Sequence, residues 1–144
     1  MSHLRIDHAY EIHTIKYGTS VSQVADLYLP GALRPPVVCL LHGGSWRLPF
    51  GRTEFDAVAH DLASRDFAVW NMEYSRLGEP EGGWPGTFRD VVTGIDHLVS
   101  LVEAGYDFDL ERLVVVGHSA GGQPALWVAA RNRQNSTVPA LTGC

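Results

Sequence analysis

Four apolar residues, Leu113-Val114-Val115-Val116, run straight into Gly117-His118-Ser119-Ala120-Gly121. A mostly β-branched run of this length reads as a buried strand, and the Ala-rich stretch 120–131, with Leu126, Trp127 and Val128, reads as a helix. The G-x-S-x-G pattern between them sets a serine on a tight strand-to-helix turn with its hydroxyl exposed. A Cβ at either flanking glycine would strike neighbouring backbone in so sharp a turn. Ser119 is therefore a candidate nucleophile, and the chemistry such a serine performs is acyl transfer. A small residue that merely fills a turn does not account for the strand and helix on either side.

Acyl transfer also needs a base for the serine proton and donors for the oxyanion that develops. The backbone N–H of Ala120, at the start of a helix, suits one oxyanion contact. Gly43 and Gly44, in His42-Gly43-Gly44-Ser45-Trp46, suit the others, because paired glycines let bare N–H groups approach a substrate oxygen. A plain turn after a strand is the competing reading of that pair. His118 adjoins the nucleophile in a sharp turn, so its side chain should point away from Ser119. His42 sits at a strand end and is better placed to order the glycine loop than to act as base. His60 and His97 lie on helices as packed or solvent-facing residues. Trp46 and Trp84 either wall a substrate pocket or belong to the core, and Trp84 has the stronger claim from its place in a Gly-Pro loop.

The elements that must position these residues follow from hydrophobic patterning. Residues 9–17 and 22–29 read as two antiparallel strands joined at Gly18-Thr19. Residues 37–41 form a continuous apolar run, hence a strand buried on both faces. Phe55, Val58, Ala59 and Leu62 mark an amphipathic helix over 53–65, with Thr53 and Asp56 as a capping-box variant. Residues 67–74 are the next strand, and 75–86, with four glycines and two prolines, are a long loop. Thr87 is expected to cap a helix whose apolar face is Val91, Ile95, Leu98, Val99 and Val102, with Gly94 allowing close packing. Residues 112–116 are the central strand, 132–137 a polar loop, and 138–142 the beginning of a further strand. Strand and helix alternate from Val37 onward, which predicts an α/β fold with a mostly parallel sheet and helices on both faces. Residues 42–46, the 75–86 loop and Ser119 then all fall at the carboxyl edge of the sheet, where sites in such folds lie.

Composition narrows the function class. A length of 144 residues allows one compact domain, and 45% hydrophobic with 19% charged content is that of a globular protein. A net charge of −5 without a basic run argues against nucleic acid or an anionic membrane as partner. The apolar runs are only strand-length, and the N-terminus carries charges where a signal peptide needs an apolar stretch, so the expected location is the cytoplasm. Cys39 reads as a small core residue, and neither it nor Cys144 belongs to a motif with metal-ligand spacing.

At His42-Gly43-Gly44-Ser45-Trp46, at Gly117-His118-Ser119-Ala120-Gly121-Gly122, and in the order of elements between them, the chain resembles the α/β-hydrolase superfamily. The likeness is to its HGG-motif esterase branch, which holds carboxylesterases, feruloyl-esterase-like proteins and kynurenine formamidases. Formamidases carry an H-G-G-x-W pattern that residues 42–46 satisfy. The resemblance implies an ester or aryl formamide as small-molecule substrate and Ser119 as nucleophile. It further implies Gly43, Gly44 and Ala120 at the oxyanion, with no metal or organic cofactor. Two features depart from the pattern. The fold's triad runs Ser, then Asp or Glu, then His, yet residues 120–144 contain no Asp, no Glu and no His. Pro124 also falls early in the helix after Ser119, where it would delay or bend the first turn. The chain is accordingly expected to be the N-terminal part of one hydrolase domain, with strands one to about six, inactive alone. A hydrolase-like module that holds a carbonyl ligand without turnover, and a half-enzyme completed by a second polypeptide, stay open beside it.

Overall fold

The computed structural model describes residues 9–45 and 47–131. Five strands, β1 (Tyr10–Lys16), β2 (Val24–Pro30), β3 (Pro36–Leu41), β4 (Ala68–Met72) and β5 (Asp109–Gly117), form one sheet in the order β1-β2-β4-β3-β5. The N-terminal ribbon is antiparallel, and β2 meets β4 antiparallel as well. From β3 onward the pairing is parallel, with β3 between β4 and β5. Among the described residues β5, expected as the central strand, stands at the sheet edge because it pairs with β3 alone. Three helices cover the sheet: α1 (Asp56–Ser64), α2 (Gly86–Glu103) and α3 (Gly122–Ala129). This is the α/β-hydrolase arrangement that the resemblance implies.

Side-chain alternation along β3 divides the core. Val37, Cys39 and Leu41 join Val91, Ile95, Leu98 and Leu101 of α2 and Ala125 and Val128 of α3 on one face. Val38 and Leu40 join Ala59 and Ala63 of α1 on the other. A strand covered on both faces has no polar side to show, which is why 37–41 is apolar throughout. Burial pushes the Cys39 thiol far above its usual range and leaves it inert. Gly94 does allow close packing: the Met72 methyl lies 2.2 Å from where a Cβ would stand, and the Gly94 carbonyl accepts the Trp70 indole N–H at 3.1 Å.

Helix starts depart from the sequence expectation, each for a tertiary reason. Residues 52–55 form a 3₁₀ turn before α1, and no side chain caps either. Glu73 takes the Arg52 N–H and Asn71 donates to the Arg52 carbonyl, so the chain enters the helix already tied to β4. Thr87 is not the cap of α2; Pro85 holds that position. The Thr87 hydroxyl instead accepts the Gly83 N–H at 2.9 Å and donates to the Ser75 carbonyl at 2.6 Å. Asp90, also buried, accepts the Ser75 N–H at 2.8 Å and the Gln23 amide at 3.1 Å. These bonds hold both ends of the 75–86 loop over the carboxyl edge. Pro124 does not bend α3, because the helix starts late, at Gly122. The proline is then its third residue, where an N–H has no intrahelical partner. The further strand expected over 138–142 lies outside the described residues.

Thr87→Val keeps the shape of the side chain but leaves the buried Gly83 N–H and Ser75 carbonyl without their partner. We expect a loss of about 2 kcal/mol in urea unfolding.

Candidate active site

β5 delivers the chain to the carboxyl edge, and residues 119–121 form a single 3₁₀ turn before α3. Ser119 sits at φ +53°, in the left-handed region that a residue with a Cβ occupies only when its surroundings force it. Two contacts supply the force. A Cβ at Gly117 would lie 2.3 Å from the Gly121 carbonyl oxygen; one at Gly121 would lie 2.2 Å and 2.5 Å from the carbonyl oxygens of Leu41 and His42. The turn is thus pressed against the end of β3, and the His118 N–H donates to the Leu41 carbonyl at 3.1 Å. Ser119 itself is exposed.

The 42–45 loop leans on the same turn. A Cβ at Gly43 would stand 2.8 Å from the His118 carbonyl oxygen and 3.1 Å from the Ser119 Cβ. The next residue, Gly44, has φ +98°, and Ser45 follows at φ +53°. Glycine loop and serine therefore share one wall. An open cavity of about 480 Å³ lies there, lined by Ser45, Arg47, Leu77, Ser119, Ala120 and Gln123. A neighbouring cleft of about 490 Å³ is lined by Gly44, Phe50, Glu54 and His118 among others.

Beneath the loop is a buried charge network. His42, fully buried, stacks on the Tyr74 ring at 4.3 Å with the planes 3° apart. Its Nδ1 donates to the Gly43 carbonyl at 2.8 Å, since a carbonyl can only accept. Its Nε2 meets Oε1 of buried Glu73 at 2.5 Å. The second Glu73 oxygen accepts the Arg52 N–H at 3.1 Å and faces the Arg76 guanidinium at 3.6 Å. Tyr74 donates its hydroxyl to the His42 carbonyl. Burial, reinforced by the Glu73 charge, pushes the Tyr74 phenol far above its usual range, so it stays a donor. His42 thus orders the glycine loop, as its position in the sequence suggests.

Residues 25–141 match the family model BD-FAE. The chain belongs to the BD-FAE family. This BD-FAE chain is 24% identical over 103 residues to the kynurenine formamidase avaC of Aspergillus versicolor, 67% of its own length and 36% of the relative's. Among solved structures it is similar to an inhibited esterase B from Lactobacillus rhamnosis, with TM-score 0.73, 28% identity, and 97% and 47% of the two chains covered. It also shares the fold of a bacterial heroin esterase, with TM-score 0.73, 24% identity, and 92% and 42% covered. The chain therefore spans less than half the length of these relatives, all of them esterase-type or formamidase hydrolases.

In this BD-FAE chain, Ser119, Ala120 and Gly44 border the two clefts, while Trp46 lies outside the described residues. The Gly43 N–H departs from the expectation of a bare donor, because it already donates to Glu54 Oε2 at 3.1 Å. The other Glu54 oxygen binds His118 Nδ1, which ties the His118 side chain to the 3₁₀ turn ahead of α1. Trp84 is 70% exposed and stands edge-on to Phe88 and Trp127, at 5.0 Å and 6.0 Å. It belongs to a surface aromatic cluster and does not line the serine cavity. His60 packs against Tyr10 and Tyr28, and His97 stacks on Trp70. Among the described residues no three His, Cys, Asp or Glu side chains are grouped as metal ligands, and no helix is long and apolar enough to cross a membrane. Sequence reasoning missed Glu54 and Glu73 as organisers of the loop. Nothing local in the sequence marks either, since each binds a residue far away in the chain.

Gly121→Ala forces backbone apart at the end of β3 and should cost about 3 kcal/mol or abolish folding, read by chemical denaturation. Gly31→Ala, where a Cβ would meet nothing within 4 Å, should stay within about 0.5 kcal/mol of the parent.

Proposed function

We propose that the protein is a serine hydrolase of carboxylic esters or aryl formamides, in which Ser119 Oγ attacks the substrate carbonyl and forms an acyl-enzyme. The observation that carries this reading is the exposed Ser119 at φ +53° beside the 42–45 loop. The oxyanion would rest on the N–H groups of Gly44 and Ala120. Gly43 contributes by its missing Cβ, which lets the loop approach the serine. Its N–H reaches substrate only by exchanging Glu54 for the oxyanion.

A base would take the Ser119 proton and give it to the leaving alcohol or amine. Water then attacks the acyl-enzyme, and its proton passes through the same base back to Ser119 Oγ as the acid is released. Residues 120–144 offer no imidazole or carboxylate for this, and His118 is bound to Glu54. The chain by itself is accordingly read as turning over poorly. A second reading, favoured by the engagement of His118 with Glu54, is a hydrolase-like module that binds a small carbonyl compound without attacking it.

Added imidazole separates the two. A fluorophosphonate should label Ser119 slowly, and millimolar imidazole should accelerate labelling at least tenfold as a substitute base. Peptide mass spectrometry locates the adduct, and Ser119→Ala should abolish it. An unlabelled Ser119 with imidazole present would leave only the binding module.

A further inference from the structure

The arginines around the carboxyl edge are not equivalent. Arg52 is committed to Asp26 at 2.9 Å and lies near Glu73. Arg76 is committed to Glu79 at 2.9 Å, to Glu73 at 3.6 Å and to the Phe50 carbonyl at 2.7 Å. The nearby acids are committed in turn: Glu54 holds His118 and the Gly43 N–H, and Glu79 accepts from the Ser22 hydroxyl as well as Arg76. Arg47, in the lining of the serine cavity, has no carboxylate partner among the described residues.

Its backbone is fixed even though its guanidinium meets no carboxylate among the described residues. The Arg47 N–H donates to the Gly44 carbonyl at 3.0 Å, and its own carbonyl accepts the Phe50 N–H at 3.2 Å. A parallel bridge joins it to Leu77 of the 75–86 loop. A cation is thus carried on a braced segment, two residues after Ser45, in a cavity whose other lining residues are Ser45, Leu77, Ser119, Ala120 and Gln123. In a chain of net charge −5, that gives the cavity a positive focus against the sign of the whole molecule. A guanidinium presents paired N–H donors that match a carboxylate or phosphate side by side.

We infer that Arg47 selects substrates that carry an anionic group, a carboxylate or similar oxyanion, beside the ester or amide carbonyl that Ser119 faces. This rests on the reading of the serine cavity as a carbonyl-binding site and names the substrate class within it. Arg47 binds the anion and takes no part in proton transfer, so it acts on affinity and specificity.

The test compares monoethyl succinate with ethyl succinamate, in which a neutral amide replaces the carboxylate. Binding is measured by ligand-detected NMR in a Ser119→Ala background, so that turnover does not intervene. The anionic ester should bind about fivefold more tightly than the neutral one at low salt, with the advantage shrinking as salt rises. Arg47→Gln should erase that advantage and leave the neutral ester's affinity unchanged, which also reports an intact fold. Arg89→Gln, which removes the same charge from an exposed position on α2, should change neither. Equal binding of the two esters, or an advantage that survives Arg47→Gln, overturns the inference and leaves the carbonyl site standing. Binding of neither ester overturns both.

Discussion

Everything at the carboxyl edge depends on how closely two stretches of backbone touch. The Leu41 and His42 carbonyls at the end of β3 sit where a Cβ of Gly121 would be, and the Leu41 carbonyl also receives the His118 N–H. Because β3 and β5 are adjacent and parallel, their ends arrive together, and the two following loops compete for the same space. Glycine at 43, 117 and 121 resolves that competition. The strain at Ser119 is its consequence: a serine held in a left-handed turn is affordable only because packing over-determines it.

Polar chemistry keeps the glycine loop from relaxing. His42, Tyr74 and Glu73 form a buried unit in which each group satisfies another, and Arg52 and Arg76 approach the carboxylate from outside the core. A buried pair of this kind is poor evidence of added stability, since desolvation offsets the attraction. Its effect is geometric. It draws residue 42 after β3, residue 73 after β4 and the 3₁₀ turn at 52–55 to one point, which fixes where the loop lies. Glu54 extends the arrangement upward by joining Gly43 to His118.

The legible part of this design is local. Strand periodicity located β1 to β5, the apolar stretch 37–41 announced a doubly covered strand, and G-x-S-x-G between a strand and a helix located the turn. Contacts that join distant residues left no local trace. His118 and Glu54 are 64 positions apart, and His42 and Glu73 are 31 apart. Helix starts failed for the same reason: Thr53 and Thr87 carry capping chemistry, yet residues from other elements had already claimed the neighbouring backbone groups. Pro124 seemed disruptive only because the helix was expected to begin two residues too soon.

The strand order has a temporal side. β1, β2, β4 and β3 can pair as soon as residue 72 has been made, but β5 is not complete until residue 117. During synthesis β3 must therefore wait with one edge open while α2 is produced. The turn that holds Ser119 is the last piece of the described sheet to acquire its neighbours. A serine that depends on strain imposed by those neighbours is consequently kept out of its left-handed conformation until the rest of the scaffold stands.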